Sequence, residues 1–154
     1  VPPLLRHLNG REDAKLLDVG SGAGLPGVVF AICCPHLQVR CVDTVGKKAA
    51  FVQQAALELK LPNLRGVHAR VESLTEKFDV VSARAFASLV DFTTWSVGAL
   101  AGQGVWLAMK AKHPDAEIAA LPALVEVFHV EQLSVPGLDA ERCIIWMRNK
   151  NPVA

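Results

Sequence analysis

Apolar residues in this chain fall into short runs separated by amphipathic stretches, and the two periods alternate along its length. Residues 14–20 form an apolar run broken by a single acid, Asp18, and read as a buried strand. Residues 26–34 read as a short buried helix, stopped by Pro35, and residues 38–43 as a second strand ending in Asp43. Over residues 46–60, Ala49, Phe51, Val52, Ala55, Ala56 and Leu59 fall on one stripe, with Lys47, Lys48, Gln53 and Glu58 off it. That is helical periodicity, and Pro62-Asn63 breaks it. A third strand is expected at 64–69 and a fourth at 78–83, then a helix over 88–100. Gly102-Gln103-Gly104 reads as a turn into a fifth strand at 105–110, followed by a short helix at 115–121. Residues 125–135 and 142–148 close the chain as two strands around Pro136-Gly137. Strands alternating with helices predict an α/β fold whose parallel sheet is covered on both faces. The last two strands have no helix between them and should pair antiparallel.

Composition agrees with this pattern and adds little to it. The 154 residues are 51 % apolar and 20 % charged, which suits one soluble globular domain with a real core. No apolar run approaches the ~20 residues that span a bilayer, and Val1-Pro2-Pro3-Leu4-Leu5-Arg6 does not form a signal peptide. There is no initiator methionine, so a trimmed chain is expected. Cys33, Cys34, Cys41 and Cys143 contain no C-x-x-C pair and fit a reduced set of thiols better than disulfides or zinc. His7, His36, His68 and His129 show no metal spacing, and no metal is expected. A net charge of +1 neither demands nor excludes nucleic acid, although a local basic patch could still meet phosphates.

Candidate chemistry concentrates where the first strand ends. Asp18-Val19-Gly20-Ser21-Gly22-Ala23-Gly24-Leu25-Pro26-Gly27 is a strand-to-helix turn with glycine at every second position. Any tight turn favours glycine, but here an apolar run precedes the turn and an acid, Asp43, ends the next strand. That places an acceptor for ribose hydroxyls about twenty residues on. Asp43 as a turn or capping residue is the alternative. A doubly wound sheet binds ligands at the carboxyl ends of its strands. Gly20 to Leu25, Asp43, Ala69 to Glu72 and Arg84 all fall on that edge. Val71 and Glu72 could flank an adenine and its exocyclic amine, and Glu72 could equally be a solvated surface acid. Arg84 requires a partner if buried, either in an ion pair or on a ligand. Lys110, Lys112 and His113, with Lys47, Lys48 and Arg142, could form a basic rim for phosphates.

The glycine spacing, with an acid two residues before Gly20, fits a dinucleotide-binding fingerprint poorly. It resembles motif I of S-adenosylmethionine-dependent methyltransferases, whose cofactor has no phosphate to cradle. That resemblance implies a class I fold: a Rossmann-like seven-stranded sheet, last strand antiparallel, helices on both faces. The Asn/Asp-Pro-Pro-aromatic motif of exocyclic-amine methylation is replaced here by Ser82-Ala83-Arg84-Ala85-Phe86. Cys34-Pro35 lies away from the binding edge, so the cysteine needed for pyrimidine C5 chemistry is not supplied there.

A closer resemblance rests on four blocks in order. They are Asp18 to Gly27, Val42-Asp43-Thr44-Val45-Gly46-Lys47-Lys48, Ser82-Ala83-Arg84-Ala85-Phe86-Ala87-Ser88-Leu89, and Leu107-Ala108-Met109-Lys110. Together they resemble the bacterial 16S ribosomal RNA guanine-N7 methyltransferase G family, also called glucose-inhibited division protein B. The resemblance covers almost the whole chain. It implies S-adenosylmethionine as methyl donor and a guanine N7 of small-subunit ribosomal RNA as acceptor. It implies cofactor contacts at Gly20, Leu25, Val71, Glu72 and Arg84, to which the residue pattern adds Asp18, Gly22, Gly24 and Asp43. Family members carry a further N-terminal helical segment, so residues 1–154 are expected to be a single methyltransferase domain without it. Ala111 stands where the family commonly has glycine. No catalytic residue is identified, and Arg84, Arg142 and Lys110 are candidates for positioning. The expected protein is cytoplasmic and monomeric, with no membrane contact. A small-molecule methyltransferase or a non-catalytic nucleotide-binding module on the same fold are the alternatives.

Overall fold

A computed structural model of the chain describes residues 13–20, 26–84, 88–110, 114–133 and 142–150, together with Leu4 and Leu8. Its elements are β1 (Lys15–Val19), α1 (Gly27–Cys33), β2 (Gln38–Asp43), α2 (Gly46–Glu58), β3 (Leu64–His68) and β4 (Phe78–Arg84). They continue with α3 (Leu89–Ser96), β5 (Leu100–Lys110), α4 (Asp115–Ala119), β6 (Val125–Leu133) and β7 (Arg142–Asn149). Single 3-10 turns occupy Val71–Ser73 and Val97–Ala99.

The strands form one seven-stranded sheet in the order β3-β2-β1-β4-β5-β7-β6. β1 to β5 pair in parallel, and β7 lies antiparallel between β5 and β6. Strand order reverses at β1, which pairs with both β2 and β4. Side chains alternate across the sheet as the strand period requires. Leu16, Val39, Cys41, Val80 and Leu107 pack with Phe30 of α1 and Val52 of α2 on one face. Leu17, Val42, Val81, Trp106 and Ile145 pack with Leu89 and Phe92 of α3 on the other. Leu4 and Leu8 are buried against the first face.

Three departures from the sequence expectations have local physical causes. The helix expected over 88–100 ends at Ser96, and the turn expected at 102–104 lies inside β5. Phe78 opposes Leu100 while Val80 opposes Val105, so β5 carries the extra residues as a bulge. Gly104 makes this possible, because a Cβ there would stand 2.9 Å from the Phe78 carbonyl oxygen. The stripe read on α2 is too wide: Ala49, Val52 and Ala56 are buried, but Phe51 and Leu59 are 55 % and 53 % exposed. The helix rests directly on β3, since a Cβ on Gly66 would lie 2.1 Å from the Ala49 carbonyl oxygen. Contact that close reaches a narrow band of small side chains and leaves Phe51 and Leu59 off it.

Candidate active site

A cleft of about 500 Å³ opens at the carboxyl ends of β1, β2 and β3, beside the strand where sheet order reverses. Gly20 begins it. Its φ of 62° is a left-handed conformation that favours glycine, and its N–H donates to the Val42 carbonyl at 2.8 Å. Val42 and Val71, both buried, supply an apolar floor. Asp43 stands at the end of β2, where its Oδ1 accepts from the Val45 N–H at 2.8 Å. That bond folds the chain from β2 into α2, so Asp43 is a turn residue and a cleft residue at once. Past β3, Ala69 donates its N–H to the Asp43 carbonyl at 3.1 Å, which carries the chain round to Val71 and Glu72 on the cleft wall. Among the described lining residues there is no histidine or cysteine.

Asp18, in β1 two residues before Gly20, has no exposed surface. Its Oδ2 accepts from the Gly27 N–H at 2.9 Å and its Oδ1 from the Ser82 hydroxyl at 3.0 Å. It therefore ties β1 to the first turn of α1 and to β4. Burial is the main influence on its carboxyl and pushes its pKa up to about 7, against the opposing hydrogen bonds from Ser82 and Gly27 and the charge of Arg84. Gly27 has no room for a side chain: a Cβ would stand 2.4 Å from Cys41 Sγ.

Of the residues singled out in the sequence, Gly20, Asp43, Val71 and Glu72 come together on the cleft, with Lys48 of the suggested basic rim. Asp18 does not reach it. Arg84 ends β4 on the same edge and is exposed, so water solvates it and the requirement for a buried partner falls away. Lys110 is largely enclosed, and its Nζ pairs with Glu117 Oε1 of α4 at 3.0 Å. Its place is inside the fold rather than on an open basic rim. Arg142 begins β7 on the exposed side. Gly22, Gly24, Leu25, Lys112 and His113 lie outside the described residues. Thr44, Val45 and Trp95 also line the cleft and were not singled out as ligands. Thr44 and Val45 follow Asp43 directly, and that adjacency was an available signal. Trp95 carried none, because α3 is brought to the cleft only by packing. Cys34 caps the far end of α1, before β2 begins, and so sits at the opposite edge of the sheet. Among the described residues, no group of three or more His, Cys, Asp or Glu side chains is placed to hold a metal ion.

The strand order, with an antiparallel β7 and a cleft where the order reverses, defines a class I S-adenosylmethionine methyltransferase fold. Solved methyltransferases share it. TrmN from Thermus thermophilus superposes with a TM-score of 0.75 at 20 % identity, covering 96 % of this chain and 47 % of that one. N-methyltransferase NodS from Bradyrhizobium japonicum WM9 superposes with a TM-score of 0.70 at 15 % identity, covering 96 % and 93 %. Sequence similarity goes further. Residues 3–145 match the rRNA small subunit methyltransferase G family, and the chain belongs to it. Ribosomal RNA small subunit methyltransferase G of Polaromonas sp. (strain JS666) is 70 % identical over all of this chain and 70 % of its own length. The same-named protein of Polaromonas naphthalenivorans (strain CJ2) is 68 % identical over 96 % of this chain and 68 % of its own length.

Proposed function

We propose that this chain binds S-adenosylmethionine in the cleft and directs its methyl group to N7 of a guanine in 16S ribosomal RNA of the small subunit. The observation that carries this reading is the family match over residues 3–145. The cleft supports the cofactor. Val42 and Val71 offer an apolar surface for a purine, and Asp43 stands where it can accept from ribose hydroxyls. Glu72 lies beside Val71, within the part of the wall that would face the exocyclic amine. The left-handed backbone at Gly20 lets the main chain approach the ligand without a Cβ in the way. Bound S-adenosylmethionine supplies an electrophilic methyl group on sulfur.

Guanine N7 presents a lone pair and no proton. The chain's task is alignment and exclusion of water rather than general-base catalysis. Arg84 is exposed on the same edge and is suited to hold the cofactor carboxylate, guanine O6 or a flanking phosphate. Placing an arginine donor on N7 itself would block the nucleophile, so its contact must be to a neighbouring acceptor. Residues 1–154 are read as one methyltransferase domain acting on a cytoplasmic substrate. Among the described residues, no helix is long and apolar enough to cross a membrane.

The test is transfer of labelled methyl groups from S-adenosylmethionine to intact small subunits, with calorimetry of cofactor binding alongside. Incorporation into 16S ribosomal RNA at guanine N7, strongly reduced in Arg84→Ala, supports the reading. Cofactor binding without incorporation would point to another acceptor, and absent binding would overturn the cofactor assignment.

A further inference from the structure

We infer that Trp95 forms the aromatic wall of the purine subsite, stacking on the adenine of the bound cofactor where the cleft wall carries Val71 and Glu72. This rests on the cofactor reading above and adds to it a residue from a different part of the fold. Most of the described lining comes from β1, β2 and β3 and the turns that follow them. Trp95 alone among the described lining residues comes from α3. That helix packs against the 3-10 turn Val71–Ser73, which brings its indole to the wall holding Val71 and Glu72.

The chain's three tryptophans separate cleanly. Trp106 is fully buried and donates its Nε1–H to Ser96 Oγ at 2.9 Å, and Trp146 is buried beside Phe128. Trp95 is 43 % exposed. A single exposed aromatic is ordinary on a protein surface. Here the exposed ring shares a cleft with an acid suited to ribose and an apolar floor suited to a base. A flat indole presents one face to a flat purine at little cost in side-chain entropy, and any adenosine derivative satisfies it equally.

Because the other tryptophans are buried, Trp95 should dominate any ligand-induced change in emission. S-adenosylhomocysteine and adenosine should both quench the fluorescence of the full chain, and methionine should not. Trp95→Leu should weaken S-adenosylhomocysteine binding roughly tenfold by calorimetry, as removal of a base-stacking aromatic does. Trp95→Phe should keep most of the affinity and abolish the emission change. Thermal melts of both variants should stay close to that of the parent, since the ring is partly exposed. Calorimetric binding with unchanged emission and an unchanged Kd in Trp95→Leu would overturn the inference and leave the cofactor reading standing. Absent calorimetric binding to the parent chain would overturn both.

Discussion

At the scale of single residues, the informative side chain is Asp18, which is polar, fully buried and bonded at both oxygens. Its ordinary pKa of 3.8 applies in the unfolded chain, and burial raises it to about 7 in the fold. Between those values the native state holds a proton that the unfolded chain has lost. This group's contribution to stability is therefore complete below about pH 4 and declines as pH rises to about 7, beyond which it is flat. Melting temperatures measured across that window should fall with rising pH in the parent relative to Asp18→Asn, which cannot ionise. The amide can accept from Gly27 and donate to Ser82, so Asp18→Asn should fold. Asp18→Ala leaves both partners buried without an acceptor and should cost about 2–4 kcal/mol in denaturant unfolding. Gly27→Ala must displace Cys41 and should cost about 1–3 kcal/mol. Asp18 was legible as special because an acid interrupts an apolar strand. Its role was not, since an acid before a glycine loop reads as a ligand contact until burial is known.

At the scale of elements, Asn63 shows how one side chain sets a junction. The sequence marks it only as part of a helix-breaking Pro-Asn pair. In the fold its buried Nδ2 donates toward the carbonyls of Ala31, Cys34 and Leu37, at 3.1, 3.2 and 2.9 Å. Its main-chain carbonyl accepts from Val39 N–H at 2.8 Å, so the end of α1, the start of β2 and the approach to β3 are joined at one residue. Asn63→Asp would aim a carboxylate at three carbonyl oxygens. It should destabilise the protein by more than Asn63→Ala at pH 7 and recover part of the loss in acid, as followed by chemical denaturation. Glu117 is a second junction: its Oε1 accepts from Lys110 Nζ at 3.0 Å and from Leu89 N–H at 3.1 Å. It holds α4 to the end of β5 and to the start of α3. Glu117→Ala should lower stability by about 1–2 kcal/mol and speed amide exchange at Leu89. Such junctions leave no periodic trace, because the side chain of Asn63 reaches partners 26 to 32 residues away and the Leu89–Glu117 bond spans 28.

At the scale of the whole molecule, the cleft links β1, β2, β3 and α3, so ligand binding there should stabilise the fold as a unit. At a concentration a hundredfold above its Kd, S-adenosylmethionine should add about 2.7 kcal/mol, which raises the melting temperature by roughly 5–10 °C. NAD at the same concentration should leave the melting temperature unchanged. Scanning calorimetry with each ligand checks this directly.

The sequence alone determined the kinds and order of elements, because burial on a strand or a helix face imposes a period that a local window reveals. It also determined the family, through blocks at Gly20, Asp43 and Arg84 whose order and spacing are specific. Tertiary structure alone decided that β7 inserts between β5 and β6, that β5 bulges past Gly104 and that Phe51 faces outward. It decided, too, that Asp18 ties β1 to α1 and β4 and that Trp95 reaches the cleft. These outcomes depend on which distant surfaces meet, and how closely, and no local pattern of polar and apolar positions encodes that.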